Sequence, residues 1–395
     1  MANYESYFQK LDLDKGILEN SFNVAESIYE TQPTFKLGYT YYVLQVRQKL
    51  EKDDLKKRNI FLITNTFEME TPDHEEELSK IVPKSLSFEK DGKIFTRDFF
   101  KLWEMIKEFN FLNGKSVKTA CLCENGGFLQ CIYYYRNKYH SSKKDSYFYN
   151  GQTNKEINDF LKSKFNDVKL RKEVYTPEEL FDNSNNLTNL KVIEDIIKKN
   201  KLSDIDFITA NGISKYENVE FKENNFFKLF VGITLFALKV QADNGNLIIR
   251  FEDCFTMKTL KILSILNDCY KECYIFKPLF SRLYSNEKYL VCKDFKLSSK
   301  LKNDLENKLS QLLLKVNEIE DNNRHVSDII SDFEISDKVV SQLSSINSFL
   351  INQEHMNINK LIEYYNNKNY FGEQYHYYRN NQIESAKWWF SKYVK

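Results

Sequence analysis

The sequence predicts an α/β protein organised around a largely parallel sheet, preceded by a mixed segment and followed by a helical one. Three observations carry this. Across residues 94–296, short apolar runs alternate with amphipathic ones, the order that builds βαβ units. Two of those runs, "VKTACLC" and "DIDFITAN", stop at glycines. The last two runs, "ECYIFKP" and "KYLVCKDF", are only about ten residues apart. That is too short for a helical crossover, so they are expected to pair antiparallel at one edge.

Residues 1–93 mix helix and strand signals. "TYYVLQVRQKLEK" leads into the apolar run "NIFLIT", and the acidic "FEMETPDHEEE" reads as a solvated loop or helix start. "TRDFFKLWEM" is a helix. "VKTACLC" is a strand that meets the turn "ENGGF", and "FLQCIYYYRNKY" continues as a helix, its tyrosines packing inward. After the strand "DIDFITAN", apolar residues at 226, 230, 233, 237 and 240 mark one helix face. The strand "NLIIRF", the helix "TMKTLKILSILNDCY" and the two closing strands follow. Beyond 296, Leu301, Leu305, Leu309, Leu312, Val316 and Ile319 repeat at intervals of three and four, a core-facing helical stripe. Amphipathic pieces follow at 335–352 and 357–366. The tail "QIESAKWWFSKYVK" is read as packing on the body rather than as a base-stacking platform.

The 395 residues suggest about two to three folding units. An apolar content of 42% is ample for a core, and 57 basic against 56 acidic residues give no global basic field. Any nucleic-acid site is therefore a local patch. Seven cysteines and five histidines lack metal-ligand spacing, which predicts a reducing compartment and no metal. The N-terminus shows no apolar signal core, and "LFVGITLFAL" is about half a membrane span. A soluble, cytoplasmic chain without membrane contact is expected.

Four stretches in order carry a family signature: "TRDFFKLWEM", "CENGGFLQ", "DFITANG" and "LIIRFEDCFT". A fifth, "KPLFSRLYSNEKYLVCKDF", is the most specific, through the spacing of Lys277, Pro278, Ser281, Arg282, Asn286 and Glu287. Together they resemble the FtsJ-like family of S-adenosylmethionine-dependent RNA ribose 2′-O-methyltransferases. The likeness is strongest to versions of large cytoplasmic DNA viruses and to the cap-directed branch.

The resemblance implies a doubly wound, Rossmann-like sheet of seven strands over 94–296. An N-terminal α+β extension (1–93) and a helical C-terminal extension (297–395) flank it. It implies a Lys–Asp–Lys–Glu tetrad whose positions fall on Lys101, Asn211, Arg250 and Glu287. The cofactor turn falls on Glu124, Asn125, Gly126, Gly127 and Phe128, and the adenine-side acid falls near Asp182. Arg282, Ser285 and Asn286 face RNA. Taken alone, Glu124 also reads as a helix cap, Asn211 as a turn residue, Arg282 as a surface cation, and Arg250 as a strand-end partner of Glu252 and Asp253.

Three positions depart from the family pattern. A lysine among charges can lose its proton and serve as a base, whereas a guanidinium at Arg250 cannot. Asn211 keeps the shape of the aspartate but not its charge. The turn reads C-E-N-G-G-F where the family has C-E-x-P-G-G-F, one residue longer. These departures predict weak or lost catalysis in viral-type mRNA processing. Two other outcomes follow the same resemblance: an active cap 2′-O-methyltransferase with an altered tetrad, and a non-catalytic RNA-binding scaffold. Capped mRNA is the expected partner, with a capping or polymerase subunit docking on the C-terminal helices, in a host cytoplasm or virion.

Overall fold

A computed structural model of the chain describes residues 4–31, 33, 38–50, 60–69, 78–88, 92–140, 144–165, 169–175, 186–212, 222–368 and 371–395. Ten strands are described: β1 (Tyr7–Lys10), β2 (Ala25–Ser27), β3 (Lys118–Glu124), β4 (Ser146–Gln152), β5 (Leu170–Tyr175), β6 (Ile205–Ala210), β7 (Gln241–Phe251), β8 (Tyr270–Lys277), β9 (Lys288–Phe295) and β10 (His325–Asp328). The principal helices are α1 (Gly38–Leu50), α2 (Asp98–Phe109), α3 (Gly127–Tyr139), α4 (Lys155–Lys164), α5 (Leu190–Asn200), α6 (Lys222–Val240), α7 (Met257–Cys269), α8 (Ser299–Asp321), α9 (Asp337–Asn367) and α10 (Glu373–Tyr393).

The main sheet runs β1-β8-β9-β7-β6-β3-β4-β5. Strands β5, β4, β3, β6 and β7 are parallel, and a helix lies between each pair that is consecutive in the chain. Strand β9 inserts antiparallel between β7 and β8, as the short connection requires. Side chains alternate between two cores, one on each face: Ala120 and Leu122 go to one and Cys121 to the other. Helices α5 to α8 cover the first face, and α2, α3, α4 and α10 the second.

The sheet has an eighth strand that the sequence did not announce. β1 pairs antiparallel with β8, Tyr7 opposite Lys277, and covers what would be an open edge. Strands β4 and β5 also escaped notice, because "SYFYNGQ" and "LRKEVY" are too polar to read as buried runs. The pieces at 335–352 and 357–366 belong to one 31-residue helix. The run "NIFLIT" is a helical turn over Ile60–Ile63. Leu301 is 47% exposed, so the α8 stripe begins at Leu305. Phe67 and Glu68, expected in a solvated stretch, are buried; residues 70–77 lie outside the described residues.

Candidate active site

Side chains from three distant stretches of the sequence meet where β3, β6, β7 and β9 approach the start of α2. Asp98 and Lys101 lie three residues apart on α2 and so share a face. Lys101 Nζ donates to Asp98 Oδ1 at 2.7 Å and to Glu287 Oε1 at 2.6 Å. Asn211, just past β6, donates from Nδ2 to Asp98 Oδ2 at 2.9 Å. Asn125 of the glycine turn reaches the same oxygen at 3.1 Å. Tyr289 donates its hydroxyl to Glu287 Oε1 at 2.6 Å. Asp98, Lys101, Asn211 and Glu287 are each no more than 6% exposed.

Arg250 sits directly opposite Tyr289 across the β7–β9 ladder. Its Nη2 donates to Glu252 Oε1 at 3.2 Å, and Glu252 also pairs with Lys222. The Arg250 Nε is buried with no hydrogen-bond partner among the described residues.

The electrostatics follow from burial among paired charges. Burial alone would raise the Glu287 carboxyl. The charges of Lys101 and Arg250, with hydrogen bonds from Lys101 and Tyr289, outweigh it and hold the group well below the carboxylate range. Asp98 is likewise depressed: Lys101 and Arg250 overcome burial and the repulsion of Glu287. Burial would lower the Arg250 guanidinium, but Glu287, Glu252, Tyr289 and Asp98 raise it, so it stays charged. Nothing on Arg250 can take up a proton.

The turn after β3 is bent sharply, with Cys123 at φ 52° and Gly126 at φ 87°. Side chains of this chain cover both glycines. A Cβ on Gly126 would lie 2.9 Å from Ile157, and one on Gly127 only 2.3 Å from Thr96 Oγ1. Glu124 points inward and accepts the backbone N–H groups of Phe128 and Leu129, both at 3.0 Å, so it caps α3. Burial pushes its carboxyl up to about 7 despite those bonds. Phe128 is fully buried. Asp182 lies outside the described residues.

A buried amide without a partner lies beside the turn. At the end of β4, Asn150 Oδ1 accepts from Cys123 N at 3.3 Å, while Asn150 Nδ2 is buried with no hydrogen-bond partner among the described residues. A buried amide left unpaired costs about 1–3 kcal/mol, and a nucleoside hydroxyl or ring nitrogen would satisfy it. Asn150, at the ends of β3, β4 and β6, is thus a group that a nucleoside cofactor would satisfy.

The segment before β9 turns largely inward. Ser285 Oγ accepts from Glu287 N at 3.2 Å, and Asn286 Nδ2 donates to Asp253 Oδ1 at 2.6 Å. Lys277 donates to the carbonyls of Ser285 and, at 3.2 Å, of Glu287; burial pushes its ammonium down to about 8. These contacts fix Glu287 beneath Lys101. Arg282 is half-buried, its guanidinium 6.0 Å from the Tyr284 ring centre.

Sequence reasoning missed Asp98, Tyr289 and Asn150. An acid one helical turn before Lys101 and a tyrosine two strand positions after Glu287 were the available signals for the first two. Asn150 carried none. Among the described residues no cluster of His, Cys, Asp and Glu could hold a metal, and all seven cysteines are free.

Comparison with known proteins finds relatives over the central part of the chain. The model of the FtsJ-like methyltransferase family matches residues 94–295. The chain is 24% identical over 233 residues to the Cap-specific mRNA (nucleoside-2'-O-)-methyltransferase 2 of Drosophila melanogaster, covering 53% of this chain and 32% of that protein. It is 26% identical over 163 residues to an uncharacterised protein of Acanthamoeba polyphaga mimivirus, covering 41% and 42%. An African swine fever virus protein described as "Probable methyltransferase" is 23% identical over 228 residues, covering 55% and 53%. The chain thus spans between a third and about half the length of these relatives. No described helix is long and apolar enough to cross a membrane.

Proposed function

The chain belongs to the FtsJ-like methyltransferase family, and from that premise we propose that it methylates a ribose 2′-hydroxyl of RNA, at a rate limited by the absence of a lysine base. One observation carries this reading: Lys101, Asp98, Asn211 and Glu287 converge as a buried, fully bonded cluster, with Arg250 in electrostatic reach of both carboxylates. The similarity to cap-directed relatives makes capped mRNA the first substrate to test.

S-adenosylmethionine, when bound, supplies an electrophilic methyl group on a sulfonium. Asn150 would hold it, beside Asn125 and Cys123 of the turn after β3. Arg250 offers its free Nε–H to the substrate oxygen and stabilises the charge that grows there. Lys101, held by two carboxylates, and Glu287, held by Tyr289, keep that oxygen's surroundings rigid. The proton leaves to solvent rather than to Arg250. General acid–base assistance is typically worth about 10²–10⁴ in rate, so turnover is expected to be slower by that order.

A second reading is favoured by the covered faces of Gly126 and Gly127. In it, the fold serves as a non-catalytic RNA-binding subunit of a capping or transcription complex. Phe349, Met356 and Tyr377, exposed on the C-terminal helices, would then be its docking face.

The test is a single-turnover assay with labelled S-adenosylmethionine and capped RNA, beside calorimetric titration of the cofactor. Slow product that disappears in Glu287→Ala supports the enzyme. A folded protein that binds no cofactor and makes no product is the scaffold.

A further inference from the structure

We propose that Asp98 is the second carboxylate of this site, taking over the electrostatic role that position 211 has given up. The proposal rests, for its catalytic consequence, on the methyltransferase reading above. Asp98 Oδ1 receives Lys101 Nζ at 2.7 Å. Its other oxygen, Oδ2, receives two amides: Asn211 Nδ2 at 2.9 Å and Asn125 Nδ2 at 3.1 Å. The negative charge therefore sits within hydrogen-bond distance of the side chain of residue 211.

This arrangement accounts for two departures from the family pattern at once. Two carboxylates in hydrogen-bond contact cannot both ionise without a large penalty. With Asp98 present, residue 211 must be neutral and must donate, and asparagine does both. The same oxygen needs a second donor, and Asn125, in the shortened turn, provides it. Asp98 also stands in the first turn of α2, where the helix dipole favours an anion. Two cations, Lys101 and Arg250, and two anions, Asp98 and Glu287, then face one another. The charge balance matches that of a Lys–Asp–Lys–Glu set, with one carboxylate displaced by a single hydrogen bond. In this view Asn211 is an adjustment to Asp98 and not a sign of decay. Asp98 is a positioning residue: it holds Lys101 and the 125 turn and is not required to touch substrate.

The experiment is a charge exchange read in four proteins: wild type, Asp98→Asn, Asn211→Asp, and the double variant. Asp98→Asn removes the anion and Asn211→Asp doubles it. Each single variant is expected to lower the single-turnover rate at least tenfold, with the S-adenosylmethionine Kd changed less than threefold. The double variant returns the anion to position 211 and is expected to recover to within about threefold of wild type. A merely structural Asp98 would not give that recovery. A double variant no faster than the product of the two single losses overturns the proposal.

A second measurement keeps the proposal testable if no variant turns over. The urea unfolding midpoint should fall in each single variant and rise again in the double. Independent, additive shifts would sink the assignment of Asp98 whatever the fate of the methyltransferase reading. Coupled shifts with no turnover in any variant would sink only that reading.

Discussion

Trp389 Nε1 donates to Glu104 Oε1 at 3.0 Å, joining the last helix of the chain to the helix that carries Lys101. The same carboxylate accepts the backbone N–H of Leu279 at 2.8 Å and of Phe280 at 3.2 Å. Phe100, Phe280 and Trp389 pack around it, with Phe100 and Phe280 stacked 4.5 Å apart. The tail is thus part of the core that supports the site.

Glu104→Ala strands three buried donors. At about 1–3 kcal/mol for each unsatisfied group, partly relieved by relaxation, the expected loss is about 3–5 kcal/mol. Chemical denaturation followed by tryptophan fluorescence measures it. A loss below 1 kcal/mol would contradict the role given to this carboxylate.

Glu104 also predicts a pH dependence. Burial pushes its carboxyl up to about 8, against the N–H bonds from Leu279, Trp389 and Phe280 that pull it down. The folded state therefore holds the proton more tightly than the unfolded state. Its contribution favours folding at low pH and is withdrawn as pH rises from about 4.5 to about 8. Comparing wild type with Glu104→Gln across that window should isolate a falling limb present only in the wild type.

Arg250→Lys restores a group that can lose its proton in a charged, buried setting. If the missing base limits turnover, the variant should gain about 10²–10⁴ in single-turnover rate. A lysine that leaves the rate unchanged would mean that proton removal is not what Arg250 costs the site.

Arg47 is held between Glu354, at 2.6 Å, and Asp253, at 3.0 Å, with all three side chains buried. Asp253 in turn accepts from Asn286, next to Glu287. Arg47→Ala leaves two carboxylates facing each other and should cost about 3–5 kcal/mol. Thermal unfolding reads that loss. A joint replacement of Arg47, Asp253 and Glu354 by apolar residues of similar volume should recover most of it.

Gly127→Ala places a methyl 2.3 Å from Thr96 Oγ1 and 3.2 Å from Asp98 Cβ. Overpacking of this kind costs about 1–3 kcal/mol, and here it would push Asp98 off Lys101. Thr96→Ser leaves that oxygen in place and should not relieve the clash, whereas Thr96→Ala should. Unfolding midpoints of the paired variants decide it.

Part of the parallel sheet was legible in the sequence, because buried strands such as "DIDFITAN" and "NLIIRF" are apolar on both faces. Lys101, Asn211, Arg250 and Glu287 were picked out by the family resemblance, and the fold brings Lys101, Asn211 and Glu287 into one bonded cluster through Asp98. What was not legible depends on tertiary partners. Asp98 reads as an ordinary N-terminal helix acid until Asn211 and Asn125 are brought to it. Glu124 reads equally as a cap or a ligand, and only the fold shows its oxygens turned to Phe128 and Leu129. Ser285 and Asn286, expected to face RNA, are half-buried, and they also bond the Glu287 N–H and the Asp253 carboxylate, respectively. β1 is four residues of alternating half-exposed character, too short and too polar to announce that it completes a sheet.

The pairing of Tyr7 with Lys277 sets an order of events during synthesis. β1 has nowhere to pair until its neighbour appears 270 positions later. At about 5–20 residues per second, that wait is on the order of 15–50 s. Trp389 reaches Glu104 across a separation of 285 residues, so the helix bearing Lys101 waits about as long for that partner. The cleft can therefore mature only after residue 389 has left the ribosome.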